Sequence, residues 1–160
     1  MSRFDNELLV TPSVLDRLID HEPKVAREPP ATRAKSLRLI KLSLRRDLEW
    51  LLNTRLTFSV PPDLPELERS LLAYGLPDLT TYSASNPVDQ NRLRRLVEVA
   101  VETFEPRLEG GVVTLEPATG PERAVRFRID ARLKVDPAPE PVAYDTFLQL
   151  GTGEFTVKGD

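Results

Sequence analysis

The sequence has 160 residues, of which 40% are hydrophobic and 29% charged, with a formal net charge of −3 and a pI near 5.4. This composition is typical of one globular domain with a substantial core, and its weak acidity argues against a general nucleic-acid binder. With no Cys and a single His, His21, the chain excludes disulfides, thiolate nucleophiles, Cys-ligated zinc and His-rich metal sites. We expect no cofactor, and carboxylate chemistry is the catalytic route left open.

Fifteen prolines divide the chain. Proline is excluded from helix interiors and central strands, so regular structure is expected in the proline-free stretches. This punctuation predicts an N-terminal arm with a proline-bearing linker over residues 1–34 and a single α+β domain over residues 35–160. The chain has no signal-peptide core and no apolar run of membrane-spanning length, which predicts a cytoplasmic location without direct membrane insertion.

The arm carries one short predicted helix within SVLDRLIDHEP, residues 13–23. Ser13 is placed to cap its start, and Pro23 ends it. Its apolar stripe consists of Val14, Leu15, Leu18 and Ile19. Because so short a helix is marginal alone in water, we expect it to pack on the core or on a partner.

Three helices are predicted next, over residues 35–54, 65–73 and 87–105. The first is the strongest, because apolar side chains recur at helical spacing through Leu37, Ile40, Leu44, Leu48 and Leu51. Asn53 lies where a left-handed C-terminal cap is expected. Asn86 and Pro87 are typical of the start of the last helix.

Beyond Pro106 the hydrophobic period changes to two. AVRFRIDARL, residues 124–133, alternates cleanly, and further strands are predicted within 111–157, with a hairpin turn at 117–122. Helices followed by strands predict an α+β fold in which two to three helices pack on a small antiparallel sheet of three to four strands.

Two charged groups have competing interpretations. Glu98, Glu102 and Glu105 share a helix face, and Arg94 and Arg95 precede them by one turn, which favours ion pairs over a catalytic pair. The basic strand face consists of Arg126, Arg128, Arg132 and Lys134. We interpret it as a solvent-exposed face whose positive charge is partly neutralised by Asp130. An acidic protein partner or a nucleic acid is the alternative.

Several phrases of the sequence together resemble one protein family. They are LRRDLEWLLNTR at 44–55, LLAYGLPDL at 71–79, FEPRL at 104–108, YDTFLQLGTGEFTV at 144–157 and the arm at 13–23. These phrases resemble the TssE family, the baseplate wedge subunit of type VI secretion systems. That family is similar to the small wedge protein of contractile phage tail baseplates, which carries a "lysozyme-like" label.

The resemblance implies a non-enzymatic structural component of a six-fold baseplate, in the cytoplasm and docked at the inner membrane. Its implied partners are the wedge subunits TssF and TssG, the subunit TssK and the TssB–TssC sheath. It also implies that a small sheet starts sheath polymerisation by β-strand augmentation.

The family's motif positions are carried over onto this chain as architectural residues: Glu49, Asn53, Thr54, Arg55, Tyr74, Gly75, Glu105, Pro106 and Arg107. Asn53 and Thr54 have side chains that can end the helix. We further expect at least one Arg–Glu pair, made by Arg55 or Arg107, to tie the first long helix to the start of the sheet.

Two interaction sites are hypothesised. The arm is expected to dock onto wedge subunits through Leu15, Leu18 and Ile19, and the terminal strand to face the sheath through Phe147, Phe155 and Val157. The alternative function is a peptidoglycan-cleaving, lysozyme-like enzyme that uses paired carboxylates among Glu98, Glu102 and Glu105.

Overall fold

The computed structural model describes residues 12–19, 24, 32–57, 61, 63–83, 85–116 and 124–159. The helices are α1 (Val14–Leu18), α2 (Arg33–Asn53), α3 (Pro65–Glu68) and α4 (Pro87–Phe104), with a 3-10 turn at Leu71–Ala73. The strands are β1 (Leu108–Glu116), β2 (Ala124–Leu133), β3 (Glu140–Gln149) and β4 (Glu154–Gly159). The predicted α+β class is confirmed. His21, Pro23 and the predicted turn at 117–122 lie outside the described residues.

The four strands form one antiparallel sheet in the order β1-β2-β3-β4. Strand β1 begins earlier than the predicted 111, and β4 extends past the predicted 157. A bulge separates Glu109 from Val112 in β1, where Gly110 has a φ of +61°. A bulge inserts an unpaired residue and bends the strand, so β1 curves at its start.

The core lies between one face of the sheet and helices α2 and α4. The alternating residues of β2 supply Val125, Phe127, Ile129, Ala131 and Leu133 to this face. The helices contribute fully buried side chains, Leu44, Leu48, Leu93 and Val97. Tyr144 of β3 is also fully buried, and its hydroxyl donates a hydrogen bond of 3.2 Å to the carbonyl of Lys41.

The end of α2 differs from the predicted left-handed cap. No non-glycine residue in the described part of the chain has a positive φ, so the expected conformation of Asn53 is wrong. Thr54 occupies the cap position instead, in an extended conformation, and its hydroxyl donates to the carbonyl of Trp50 at 2.7 Å. The same carbonyl also accepts from the backbone amide of Thr54 at 3.0 Å, so the hydroxyl adds a second bond at the helix end. Because Thr54 is the cap, the side chain of Asn53 can form hydrogen bonds with a residue outside the helix.

The continuous helix predicted over residues 65–73 is also wrong. Its first turn is α3, and the chain resumes as the 3-10 turn after Ser70. The Ser70 hydroxyl donates to the carbonyl of Leu67 at 2.8 Å and accepts from the amide of Leu72 at 3.3 Å. Serine thus offers the backbone local bonds that compete with the helical ones, which breaks the helix.

Gly75 lies where two segments of backbone meet. The amide of Leu76 donates to the carbonyl of Thr54 at 2.9 Å, and the amide of Leu56 donates to the carbonyl of Leu76 at 2.8 Å. Gly75 has a φ of +116°, and a Cβ on it would overlap the carbonyl oxygen of Thr54. Only glycine satisfies both the backbone angle and the close approach.

We predict that Gly75→Ala lowers the free energy of unfolding by about 2 kcal/mol, because the substitution combines an unfavourable φ with a backbone clash. Urea unfolding measures the change. Gly151→Ala is the matched control, since a Cβ there meets no atom within 4 Å and φ lies outside the left-handed range. Equal stability of the two variants would contradict the requirement for glycine at position 75.

Candidate functional site

The junction between α4 and β1 is built around a buried carboxylate. Glu105 is 5% exposed, and both of its oxygens accept from the guanidinium of Arg107 at 2.6 Å. The backbone amide of Arg107 also donates to Glu105, at 3.3 Å. A forked guanidinium matches the two carboxylate oxygens, so this pair fixes the geometry of the turn through Pro106.

Arg107 also reaches the first long helix. Its Nη2 lies 2.7 Å from a carboxylate oxygen of Asp47, which is 60 residues away in sequence. The hydrogen bonds to Glu105 raise the pKa of Arg107 above its ordinary value against the effect of burial, and Asp47 adds to the rise. The expected tie between helix and sheet therefore exists, but its helical carboxylate is Asp47 and not Glu49. The sequence positions of Asp47 and Glu49 did not indicate which of them would bond to Arg107.

The ionic network continues to the arm. Arg46 lies 2.8 Å from Asp47 and 3.0 Å from Asp16 of α1. The Ser13 hydroxyl donates to Asp16 at 2.6 Å. Burial disfavours the ionised form of Asp16, but the hydrogen bonds from Ser13 and Arg46 outweigh it and lower the pKa of this carboxyl. Alternating charges thus connect α1 through α2 to the start of β1.

An open groove of about 330 Å³ lies beside this network. Its lining includes Ser13, Trp50, Tyr74, Phe104 and Arg107. Trp50 is 52% exposed, and the guanidinium of Arg46 lies 4.9 Å from its ring centroid. Burial and the nearby carboxylate of Asp47 raise the pKa of Tyr74. The groove therefore joins an aromatic surface to the ionic network and to the start of the arm helix.

Arg55 makes a second long-range contact. Its guanidinium donates to Asp78 at 2.9 Å and to the carbonyl of Thr152 at 3.2 Å. Gly153 has a φ of +69°, and a Cβ there would overlap Nη2 of Arg55. Arg55 therefore connects the end of α2 to the turn between β3 and β4, and pairs with an aspartate where a glutamate was expected.

Side chains of α2 cover part of the outer edge of β4. Nδ2 of Asn53 donates to the carbonyl of Phe155 at 2.9 Å, and Oδ1 of Asn53 accepts from the amide of Phe155 at 2.8 Å. One turn earlier, Glu49 accepts from the amide of Val157 at 3.4 Å. These backbone groups point away from β3 because alternate residues of a strand direct their amides to opposite sides. Two motif residues thus occupy bonds that a further strand would make.

This arrangement bears on the hypothesis of a sheath-facing terminal strand. The side chains of Phe155 and Val157 are each 3% exposed and belong to the core, so they do not face a partner in this conformation. Phe147 lies on the opposite face of the sheet, within 5.7 Å of Arg126 and 5.1 Å of Lys158. Of the three residues, Phe147 alone has its side chain on the solvent face.

The basic strand face carries paired charges. Arg126 lies 2.9 Å from both Glu116 and Asp145, and Arg128 lies 3.1 Å from Asp130. The predicted relief by Asp130 is thus present at Arg128, and Glu116 and Asp145 neutralise Arg126 in addition.

The three candidate catalytic carboxylates do not form one site. Glu98 pairs with Arg94 at 2.9 Å, which confirms the expected ion pair one helical turn apart. Glu98 and Glu102 line a groove of about 230 Å³ beside β1, whereas Glu105 lines the groove near Trp50 and is bound to Arg107. Glu105 therefore lies apart from Glu98 and Glu102, which share one groove.

The hypothesised arm residues are on the surface. Leu15 is 42% exposed, Leu18 is 77% exposed and Ile19 is 36% exposed. The apolar stripe of α1 is therefore turned largely to solvent, while Asp16 on the same helix faces Arg46.

No group of three or more His, Asp or Glu side chains in the described ranges could hold a metal ion. No helix in the part of the chain that the structure describes is long and apolar enough to cross a membrane.

Comparison with protein families gives one match. The family model described as baseplate wedge protein gp25 matches residues 39–138, which is more than half of the chain. Neither the curated proteins nor the solved structures contain a match. The matched range contains the ionic junction, Asn53, Arg55 and Gly75, and it ends before β3.

We predict that Arg107→Leu lowers the free energy of unfolding by about 3 kcal/mol, because it leaves the carboxylate of Glu105 buried without its cation. Urea unfolding measures the loss. The double variant Glu105→Leu with Arg107→Leu removes the buried charge as well and is expected to recover part of the stability. A double variant no more stable than the single one would contradict this account.

We predict that Asn53→Ala costs about 2 kcal/mol, because the amide and the carbonyl of Phe155 both lose their partner. Hydrogen exchange at the amide of Phe155 is expected to accelerate. Glu102→Ala on the exposed face of α4 is the control and is expected to change stability by less than about 0.5 kcal/mol. Unchanged exchange at Phe155 in the Asn53 variant would show that these bonds do not protect the edge.

Proposed function

Because the chain belongs to the baseplate wedge protein gp25 family, we propose that it joins the wedge to the contractile sheath in a type VI secretion baseplate. Membership in this family implies a structural role in a baseplate, because the family is structural and TssE belongs to it. The structural role of the family is consistent with our expectation that the chain is not an enzyme. The single observation that carries the function is the family match over residues 39–138.

The proposed wedge partners are TssF, TssG and TssK, in a six-fold baseplate docked at the inner membrane. The arm helix supports a docking role, because its leucines lie on the surface while Asp16 holds it to Arg46. An exposed apolar stripe on a short helix is typical of a segment that is buried by a partner. The open groove beside Trp50 begins at Ser13, so the arm and the groove are neighbouring parts of one surface.

The proposed sheath contact is strand addition to the four-stranded sheet. Main-chain hydrogen bonds supply affinity in this mode, and alternate side chains set the register. If the terminal strand receives the sheath as hypothesised, Asn53 and Glu49 must first release the backbone of Phe155 and Val157. Of the hypothesised sheath-facing residues, Phe147 is then the one whose side chain can contact the sheath from the solvent face of the sheet.

The alternative is a peptidoglycan-cleaving enzyme. Such an enzyme needs two carboxylates on either side of a bound sugar, one of them protonated. Glu105 is bound to Arg107, and Glu98 is paired with Arg94. Both carboxylates are already engaged by arginines, and no specific contact supports this function over the structural one. Turnover of purified cell-wall material that is lost in Glu102→Gln would revive it.

We predict that Leu15→Asp combined with Leu18→Asp abolishes co-purification with the wedge subunits, because buried carboxylates would replace the apolar contact. Co-expression with the wedge subunits of the same organism, followed by affinity purification, measures the effect. The domain is expected to remain folded by circular dichroism, because neither leucine belongs to its core.

Leu71→Asp combined with Leu72→Asp is the matched control. These leucines are 88% and 60% exposed and lie outside the arm. This control tests whether replacing any two exposed leucines by aspartate abolishes co-purification with the wedge subunits. A wild-type chain that captures no wedge subunit would contradict the proposed function, whereas wedge capture by the arm variant would contradict only the role of the arm.

A further inference from the structure

We propose that the exposed face of α2, on the side away from the core, binds an acidic amphipathic helix of a wedge subunit. This surface, named here the basic face, consists of Lys35, Arg38, Leu39, Leu42 and Arg45. The inference rests on the proposed function and specifies the chemistry of one wedge contact. It concerns the surface of a helix and involves no strand addition.

The charges of α2 are unevenly distributed. Residues 33–46 carry six basic and no acidic side chains, although the whole chain has a net charge of −3. The acidic side chains of α2 are Asp47 and Glu49, which bond to Arg107 and to the amide of Val157. Helix α4 provides the contrast, because its three basic side chains are matched by three acidic ones. The first part of α2 therefore carries positive charge that the helix itself does not balance.

Three of these cations lack an acidic partner in the part of the chain that the structure describes. Lys35, Arg38 and Arg45 form no ion pair there, whereas Arg46 lies 3.0 Å from Asp16 of the arm. Lys35 and Arg38 are exposed, and Arg45 is half-buried. Their spacings of three and seven residues place them on one side of the helix. These charges are therefore available to an anionic partner.

The start of α2 is unfavourable for the helix taken alone. Thr32 is the N-cap, and its hydroxyl oxygen accepts from the amide of Lys35 at 3.3 Å. Glu or Gln is favoured at this third helical position, because its side chain can bond back to the amide of the cap residue. Acidic side chains also interact favourably with the positive end of the helix dipole, and the first turn of α2 has none. A choice of residue that costs local stability is typical of a functional surface.

Two leucines give the basic face an apolar centre. Leu39 is 39% exposed and Leu42 is 38% exposed, and neither belongs to the core. Leu42 lies one helical turn before Arg46, the residue that contacts Asp16 of α1. The leucines are therefore on the side of α2 next to the arm, so the basic face and the proposed docking surface of the arm are neighbours.

This combination specifies the partner. An amphipathic helix can present acidic side chains to Lys35 and Arg38, and apolar side chains three or four residues apart to the leucines. A nucleic acid would pair its phosphates with the cations but would place Leu39 and Leu42 against a charged backbone. A membrane would require a wide apolar face, whereas each of these leucines is less than half exposed. A basic helix is excluded by repulsion between like charges.

The test uses Lys35→Glu combined with Arg38→Glu, and the matched control Arg92→Glu combined with Arg95→Glu. The control residues are exposed on α4, and both variants change the net charge by the same amount. Each full-length variant is co-expressed with the wedge subunits of the same organism and purified through them. We expect recovery of the α2 variant to fall about tenfold, because its acidic side chains would repel the acidic helix. The control should be recovered like the wild type.

Thermal unfolding separates lost binding from lost folding. We expect the α2 variant to melt about 2 °C above the wild type, because acidic side chains at the start of a helix favour its dipole. A lower melting temperature would contradict this account of the start of α2. Leu42→Gln tests the apolar centre and is expected to lower wedge recovery while the circular dichroism spectrum stays unchanged. Recovery of the wild type should also fall between about 0.1 M and about 0.5 M salt, because salt screens exposed charges.

The outcomes separate the two proposals. A wild-type chain that captures no wedge subunit would contradict the proposed function. Full recovery of the α2 variant, or equal loss with the α4 control, would overturn the assignment to the basic face and leave the proposed function standing. Wild-type binding to a DNA duplex or to phosphatidylglycerol vesicles, lost in the α2 variant while wedge recovery is unchanged, would overturn the choice of a protein helix as the partner.

Discussion

The two hydrogen bonds between the side chain of Asn53 and the backbone of Phe155 fix the last turn of α2 against β4. Because these bonds use backbone groups, they set both the position of the helix and the register of the strand beside it. Arg55, two residues later, then reaches the β3–β4 turn, and Asp47, less than two turns earlier, reaches Arg107. The C-terminal part of α2 therefore contacts both the start of β1 and the turn between β3 and β4.

The ionic network extends this connection to the surface. It runs from Asp16 of the arm through Arg46 and Asp47 to Arg107 and the buried Glu105. Ion pairs that are partly buried add little net stability, because desolvation offsets much of the attraction. Their contribution here is geometric, since each carboxylate has one orientation in which it meets its cation. The arm and the start of the sheet are therefore oriented by the same chain of charges.

The two edges of the sheet are unequal for a physical reason. The amides of Phe155 and Val157 at the β4 edge bond to side chains of α2, whereas the outer edge of β1 lies beside a groove lined by Glu98 and Glu102 of α4. Proteins commonly cover or charge an exposed edge to prevent uncontrolled association. The arm lies near the Trp50 groove, and the β1 edge lies beside α4.

The sequence by itself determined the elements, because helical spacing and alternation report directly which residues are buried. Leu44, Leu48 and Leu51 define α2, and Phe127 and Ile129 define β2, without reference to any distant residue. It also supplied the phrases that place the chain in its family. Only the tertiary structure decided the partners of Asn53, Asp47 and Arg55, because these polar side chains bond residues 23 to 102 positions away, and local periodicity carries no information about such contacts. For the same reason, only the folded structure shows that the backbone of Phe155 is bonded to α2.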